Sequence, residues 1–228
     1  MSRPKYFPPP EVSDDDGFLG IGGKLTIDWL MDAYRHGIFP WPLPDGTLAW
    51  FSPDPRAVLE FDLFHVPRRL RDTIRAGKFT TTIDRDFAGV IRGCATANGR
   101  ERNTWITDDM LSAYIRLHRA GHAHSVETWL DGRLVGGTYG VAVGGFFAAE
   151  SMFYTVPDAS KVALVRLVQH LRERGFGMLD IQQMTANSAR FGATELRRRE
   201  YLRRVAAAVK LDTDFRREVP AEPSEPAG

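Results

Sequence analysis

The chain reads as an α+β protein with a mixed, mostly antiparallel sheet, and three observations predict it. His124 to Phe153 carries the signature of a β-meander, segments of helical periodicity lie on both sides of it, and a short alternating strand follows the last helix. Ahead of these, Ile38 to Leu59 holds prolines at 40, 42, 44, 53 and 55, which predict irregular chain until a strand from Ala57 to Phe61.

Composition sets the outer bounds. With 228 residues, 43% hydrophobic, 26% charged and a formal net charge of +1, the chain can bury a sizeable core. Its start, MSRPKYFPPPEVSDDDG, has no apolar signal region, and no run approaches the ~18 apolar residues of a membrane helix, so a cytoplasmic protein without membrane contact is expected. A lone Cys94 excludes an internal disulfide and a zinc site built on paired cysteines, and the six histidines show no H-x-x-x-H spacing. Chemistry without metal or cofactor is expected.

The elements follow in order. Residues 1–17 read as a flexible tail. Thr26 is a good N-cap, with Asp28 in the first turn and Ile27, Leu30, Ala33 and Tyr34 at helical spacing until Gly37. In the proline-rich block Trp41, Trp50 and Phe51 are the residues expected to pack, making 18–59 a small N-terminal domain laid on the rest. His65 to Lys78 then carries Arg68, Arg69, Arg71, Arg75 and Lys78 against Asp72 alone, with Leu70 and Ile74 expected to face inward. The stripe is either a phosphate-binding face or an ordinary solvated one. A second basic run, Arg197, Arg198, Arg199, Arg203 and Arg204, comes late.

Phe79 to Ile83 reads as a Thr-rich strand and Phe87 to Ala95 as a short helix. Thr107 caps a helix from Asp108 to Ala120, its acidic first turn matching the dipole and Gly121 closing it. The meander strands are His124 to Trp129, Leu134 to Val143 and Phe146 to Phe153, joined by Asp131-Gly132 and Gly144-Gly145. Ser160 to Arg174 reads as a helix stopped by Gly175, and Met178 to Met184 as a strand. The larger domain is expected over 60–210, with a polar tail at 211–228.

Two places suggest chemistry. Glycines 136, 137 and 140 strip side chains from one meander strand, as happens where a backbone or a ligand comes close, and Glu150 is expected near the space they leave. Glu150 stands among Phe146, Phe147, Ala148, Ala149 and Met152, costly company for a carboxylate without a partner. Period-2 alternation also puts Asp180 and Gln182 on one strand face, about 6 to 7 Å apart. With no cation in the adjacent motifs, the cleft is expected to hold two uncompensated carboxylates.

FPWPLPDGTLAWFSPDPRAVL, TWIT at 104–107, HSVETW, LVGGTYGVA, ESMF at 150–153, ASK at 159–161 and LDIQ at 179–182 stand in one order with similar separations. Together they resemble the leucyl/phenylalanyl-tRNA-protein transferase family, from Phe18 to Tyr201. The resemblance implies a small N-terminal domain and a larger domain related to the acetyl-CoA-dependent N-acyltransferases (GNAT-related). It implies transfer of Leu, Phe or Met from aminoacyl-tRNA to proteins beginning with Arg or Lys, marking them for degradation.

Residue by residue, the resemblance gives catalysis to Asp180 and Gln182. Asp180 would attract the cationic acceptor and orient Gln182, whose oxygen accepts a hydrogen bond from the attacking amine. Glu150 falls at the acceptor or aminoacyl site with Thr138; Phe147 and Met152 are pocket lining or plain core. Trp41 and Trp105 fall at the tRNA 3′-end or pack between domains, and Ser160-Lys161 is a phosphate site or only a cap and a solvated lysine. Departures are Thr138 for a frequent Met, Phe51 for the second Trp of a pair, Ala149 for Gly, and Gln183-Met184-Thr185 after the D-x-Q; Thr138 and Ala149 change pocket size and polarity. The rivals are a coenzyme-A-dependent N-acetyltransferase of the same fold and a non-catalytic RNA-binding module. DNA is not an expected partner.

Overall fold

The computed structural model describes residues 3–14, 16–97, 99 and 104–216. Of the two expected tails, residues 1, 2, 15 and 217–228 lie outside the described residues. Strands β1 (Phe18–Ile21), β2 (Phe39–Pro42) and β3 (Leu48–Phe51) form a small antiparallel sheet in the order β1-β3-β2, with helix α1 (Ile27–Arg35) between the first two in sequence. The proline block is therefore more regular than its sequence predicts. Pro40 pairs opposite Trp50 and Pro42 opposite Leu48, in an edge strand whose outer side needs no N–H. Trp50 is buried against Trp29 and Phe7, and its indole donates to Gly22 O at 2.8 Å.

The second sheet holds β4 (Arg56–Leu59), β5 (Thr80–Ile83), β6 (Ala123–Leu130), β7 (Arg133–Val143), β8 (Phe146–Tyr154), β9 (Met178–Gln182) and β10 (Ala193–Leu196). Their order is β10-β4-β9-β8-β7-β6-β5, antiparallel at every pair except β8–β9. The meander and the mixed sheet are as the sequence predicts.

Helices α2 (Arg68–Arg75), α3 (Phe87–Thr96), α4 (Asp108–Arg119), α5 (Ala159–Glu173), α6 (Ala186–Ala189) and α7 (Arg198–Ala208) complete the fold. The Thr107 hydroxyl caps α4 by accepting from Met110 N. One hydrophobic layer joins α1, α3, α4 and α7 to the sheet, and a second joins α2 and α5 to its other face. On α2 only Leu70 is buried; Ile74 is 37% exposed, because the helix touches the body along a single narrow line. Phe215, inside the stretch expected as a polar tail, is buried against His124, Phe147 and His170.

The meander glycines make room for packing. A Cβ on Gly136 would fall 2.6 Å from Ala159 Cβ at the start of α5, and one on Gly140 would fall 2.2 Å from Ala148 O and 2.4 Å from the Phe147 ring. The space that Gly136 and Gly140 leave is thus filled by the protein itself, not by a ligand beside Glu150.

Candidate active site

The site lies where β8 and β9, the one parallel strand pair among the described residues, come apart. β8 and β9 are in register at Phe146–Met178, Phe147–Leu179 and Ala148–Asp180, and no further. Just beyond, each strand carries an irregularity. On β8, Tyr139 pairs with Ser151 and Gly140 with Ala149, leaving Glu150 as the extra residue of a bulge. On β9 the pairing to β4 steps from Asp180 to Gln182, which sits at φ 63 in the left-handed region. These irregularities aim Glu150 and Gln182 into the gap, where Gln182 Nε2 donates to Glu150 Oε1 at 3.1 Å.

Asp180 does not face the gap as an open carboxylate. It is fully buried, and the guanidinium of Arg56, itself 1% exposed, forks onto it with Nε to Oδ1 at 3.0 Å and Nη2 to Oδ2 at 2.7 Å. Tyr201 donates to Oδ2 at 2.9 Å, and the backbone N–H of Gln182 donates to Oδ1 at 2.8 Å. The expected absence of a cation beside the two carboxylates is therefore overturned by Arg56. Its only sequence trace is a charge in the otherwise apolar strand RAVL, every residue of which is buried. Burial pulls the Arg56 pKa down, but the charge and hydrogen bonds of Asp180, together with Tyr201 and Glu150, more than offset this and hold the guanidinium charged.

Glu150 has weaker support. Tyr114 OH donates to its Oε2 at 3.3 Å, and Tyr114 shares a short hydrogen bond with Tyr34. Burial pushes the Glu150 carboxyl up to about 7; the Asp180 charge acts in the same direction, against the Tyr34 hydroxyl, Arg56 and the Gln182 amide. Burial also raises Tyr34, Tyr114, Tyr139 and Tyr201, so their hydroxyls stay protonated. The sequence did not single out Tyr114 or Tyr201 for the site, since a tyrosine at a core position of a helix looks like packing.

Glu150 opens onto a cleft of about 250 Å³, lined also by Leu59, Thr138, Met152, Leu164 and Ile181, with polar groups from Gln183 to Ser188. Three of the four residues expected around the aminoacyl group thus come together. Phe147 does not: it is 1% exposed, packed on Phe176 and Phe215, and belongs to the core beneath α5. The Thr138 hydroxyl is used internally, donating to Ser151 O at 3.1 Å.

Trp41 and Trp105 stack on each other, with centroids 4.9 Å apart and planes at 21°, and Trp41 is 38% exposed. Ser160 and Lys161 line a neighbouring cleft of about 450 Å³ at the start of α5, which shares Met152 and Asn187 with the first; the Lys161 ammonium pairs with Asp158 at 2.8 Å. Arg68, Arg69, Arg71, Arg75 and Lys78 are all exposed and outside the cleft.

Residues 58–206 match the family model described as leucyl/phenylalanyl-tRNA protein transferase, and residues 23–54 match that of its N-terminal domain. The chain is 52% identical to the leucyl/phenylalanyl-tRNA–protein transferase of Solidesulfovibrio magneticus over 203 residues, covering 89% of this chain and 82% of that one. To the protein of the same name from Thiobacillus denitrificans it is 49% identical over 213 residues, covering 92% and 93%.

Among solved structures, a ribosomal-protein-alanine N-acetyltransferase from Brucella melitensis biovar Abortus 2308 aligns with TM-score 0.35 and 17% identity, over 58% of this chain and 93% of that one. A GCN5-related N-acetyltransferase-like protein from Streptococcus suis aligns with TM-score 0.37 and 13% identity, over 75% and 65%. The fold rests on the strand order above and not on these low scores. With both segments matched and half the residues shared with its relatives, the chain belongs to the leucyl/phenylalanyl-tRNA–protein transferase family of aminoacyltransferases.

Proposed function

We propose that the cleft at the β8–β9 gap holds the leucyl or phenylalanyl group of a charged tRNA while an amino terminus beginning with Arg or Lys enters against Glu150. The observation that carries this reading is the cleft's division of labour: Leu59, Met152, Leu164 and Ile181 line it, and the Glu150–Gln182 pair stands at the gap. Apolar walls suit a Leu or Phe side chain, and a carboxylate with an amide suits a cationic amine.

An aminoacyl ester is already activated, so the nucleophile needs only to be neutral and placed. With an α-amino pKa of about 7.7 to 8.0, a tenth or more of the amine is neutral near pH 7, and positioning supplies much of the rate. Gln182 holds the amine and is not its base, since an amide has poor proton affinity. Asp180 acts from behind, through the backbone of Gln182.

The stacked indoles of Trp41 and Trp105 suit the unpaired 3′-terminal base, and α2 offers its exposed cations to the tRNA backbone. We assign two domains as expected but move their boundary from Leu59 to before β4 (Arg56–Leu59), which belongs to the seven-stranded sheet, and shorten both tails, since Phe7 packs on Trp50 and Phe215 is buried. We place the protein in the cytoplasm, away from membrane and DNA. Among the described residues no helix is long and apolar enough to cross a membrane.

The test is transfer of labelled leucine from charged tRNA to peptides differing only at residue 1. Arg- and Lys-initiated peptides are expected to be extended, Ala- and Glu-initiated ones far more slowly. Equal rates across the set would overturn the acceptor assignment, and stabilisation by acetyl-CoA with no transfer would favour the acetyltransferase.

A further inference from the structure

We propose that Arg56 is a positioning residue of the transfer reaction, acting through Asp180 to hold Gln182 and Glu150 in their reactive arrangement without touching either substrate. The inference rests on the reading of the cleft given above. Arg56 opens β4, and its guanidinium lies between the rings of Phe39 and Tyr201, 4.6 and 4.9 Å from their centroids, with Nη1 toward Gly37 O at 3.4 Å. One side chain therefore ties the end of α1, β2, β9 and α7 to a single carboxylate.

That carboxylate is what fixes Gln182. Asp180 Oδ1 accepts from both Arg56 Nε and the Gln182 backbone N–H, and Gln182 occupies left-handed backbone that a residue with a side chain seldom adopts. Such a conformation persists only where its surroundings over-determine it. With the fork gone, Asp180 can rotate, the Gln182 backbone loses its fixed acceptor, and the amide is no longer held on Glu150.

The fork also sets the charge around Glu150. The groups facing it are Tyr34 from α1, Tyr114 from α4, Tyr139 from β7, Asp180 and Gln182 from β9, Arg56 from β4 and Tyr201 from α7. Arg56 is the one cation in that set. Without its charge, the Tyr34 and Gln182 hydrogen bonds are left to hold the Glu150 carboxyl down, and it moves higher.

The experiment compares full-length Arg56→Lys, which keeps the charge but cannot fork, with Arg56→Gln, which loses both. Charged leucyl-tRNA and an Arg-initiated peptide serve as substrates; kcat and KM are measured across neutral pH, and rates are corrected for the folded fraction. Arg56→Lys is expected to lose about 10- to 100-fold in kcat with KM little changed and the pH midpoint in place. Arg56→Gln is expected to show the same loss with the midpoint moved up by about half a unit or more. Should Arg56→Gln fail to fold, Tyr201→Phe removes one bond to Asp180 and is expected to lose a few-fold in kcat. Wild-type kcat in Arg56→Lys, or a loss that vanishes on correction for folded fraction, overturns the inference. A wild type inactive on this substrate pair overturns the reading of the cleft, and this inference with it.

Discussion

Asp180 and Glu150 are carboxylates on neighbouring strands, taken out of water by the same sheet, and the protein treats them in opposite ways. Asp180 receives a two-pronged guanidinium, a phenol and a backbone amide. Glu150 receives an amide and a long phenol bond, no cation, and a carboxyl pushed up to about 7. The helices repeat the contrast: on α7, Arg204 is bound to Glu60 at 2.5 and 2.6 Å and Arg198 reaches Ser13 O and Asp14 O, while among the described residues none of the five α2-stripe cations is in an ion pair. A charge with its partner built in shapes the fold. A charge left short of one is available to a ligand.

The largest expected effect is on stability. Asp180→Ala leaves the buried Arg56 cation uncompensated and should lower unfolding free energy by about 3–5 kcal/mol, read from a denaturant midpoint. A cost below about 1 kcal/mol would mean that the pair is not closed in solution.

Glu150→Gln should act in the other direction. The Glu150 carboxyl is raised from 4.5 to about 7, so between those values the folded protein holds a proton that the unfolded chain has released. Its contribution to stability is full below pH 4.5 and is lost as pH rises through 7. Above pH 7 the variant should therefore be more stable than wild type, by at most about 3 kcal/mol. Parallel stability–pH curves for the two proteins would contradict this.

Gln182→Ala should slow transfer by about 10- to 100-fold, with residual activity still rising as the acceptor amine deprotonates. Activity that no rise in pH recovers would make the amide an essential proton acceptor. A smaller effect concerns specificity: the preference for Arg- over Ala-initiated peptides should grow about tenfold as pH rises through 7, and Glu150→Gln should flatten that rise. The smallest is on salt. Replacing Arg71 and Arg75 should reduce the slope of log affinity for charged tRNA against log salt by about 2, whereas replacing Arg204 should leave the slope alone and cost stability.

The meander, the capped helix α4, the amphipathic α5 and the order of motifs that place Glu150, Asp180 and Gln182 can be read from the residues alone. The first three are written in local periodicity or turn chemistry, legible within a dozen or so residues, and the motif order is read through the family resemblance. Local pattern misreads features whose meaning depends on neighbours. Prolines 40 and 42 are compatible with a strand because β2 is an edge, and Gly140 is small because Phe147 lies across it. Phe147 points to the α5 layer because strand alternation, before the Glu150 bulge resets it, puts it there.

Which carboxylate is neutralised internally is settled by long-range packing. Arg56 and Asp180 are 124 residues apart, on strands made neighbours by the sheet order, and no pattern within either segment records the pairing. Hydrophobic period and capping are short-range properties of a chain, whereas desolvation and ion pairing depend on what folding brings within a few ångströms.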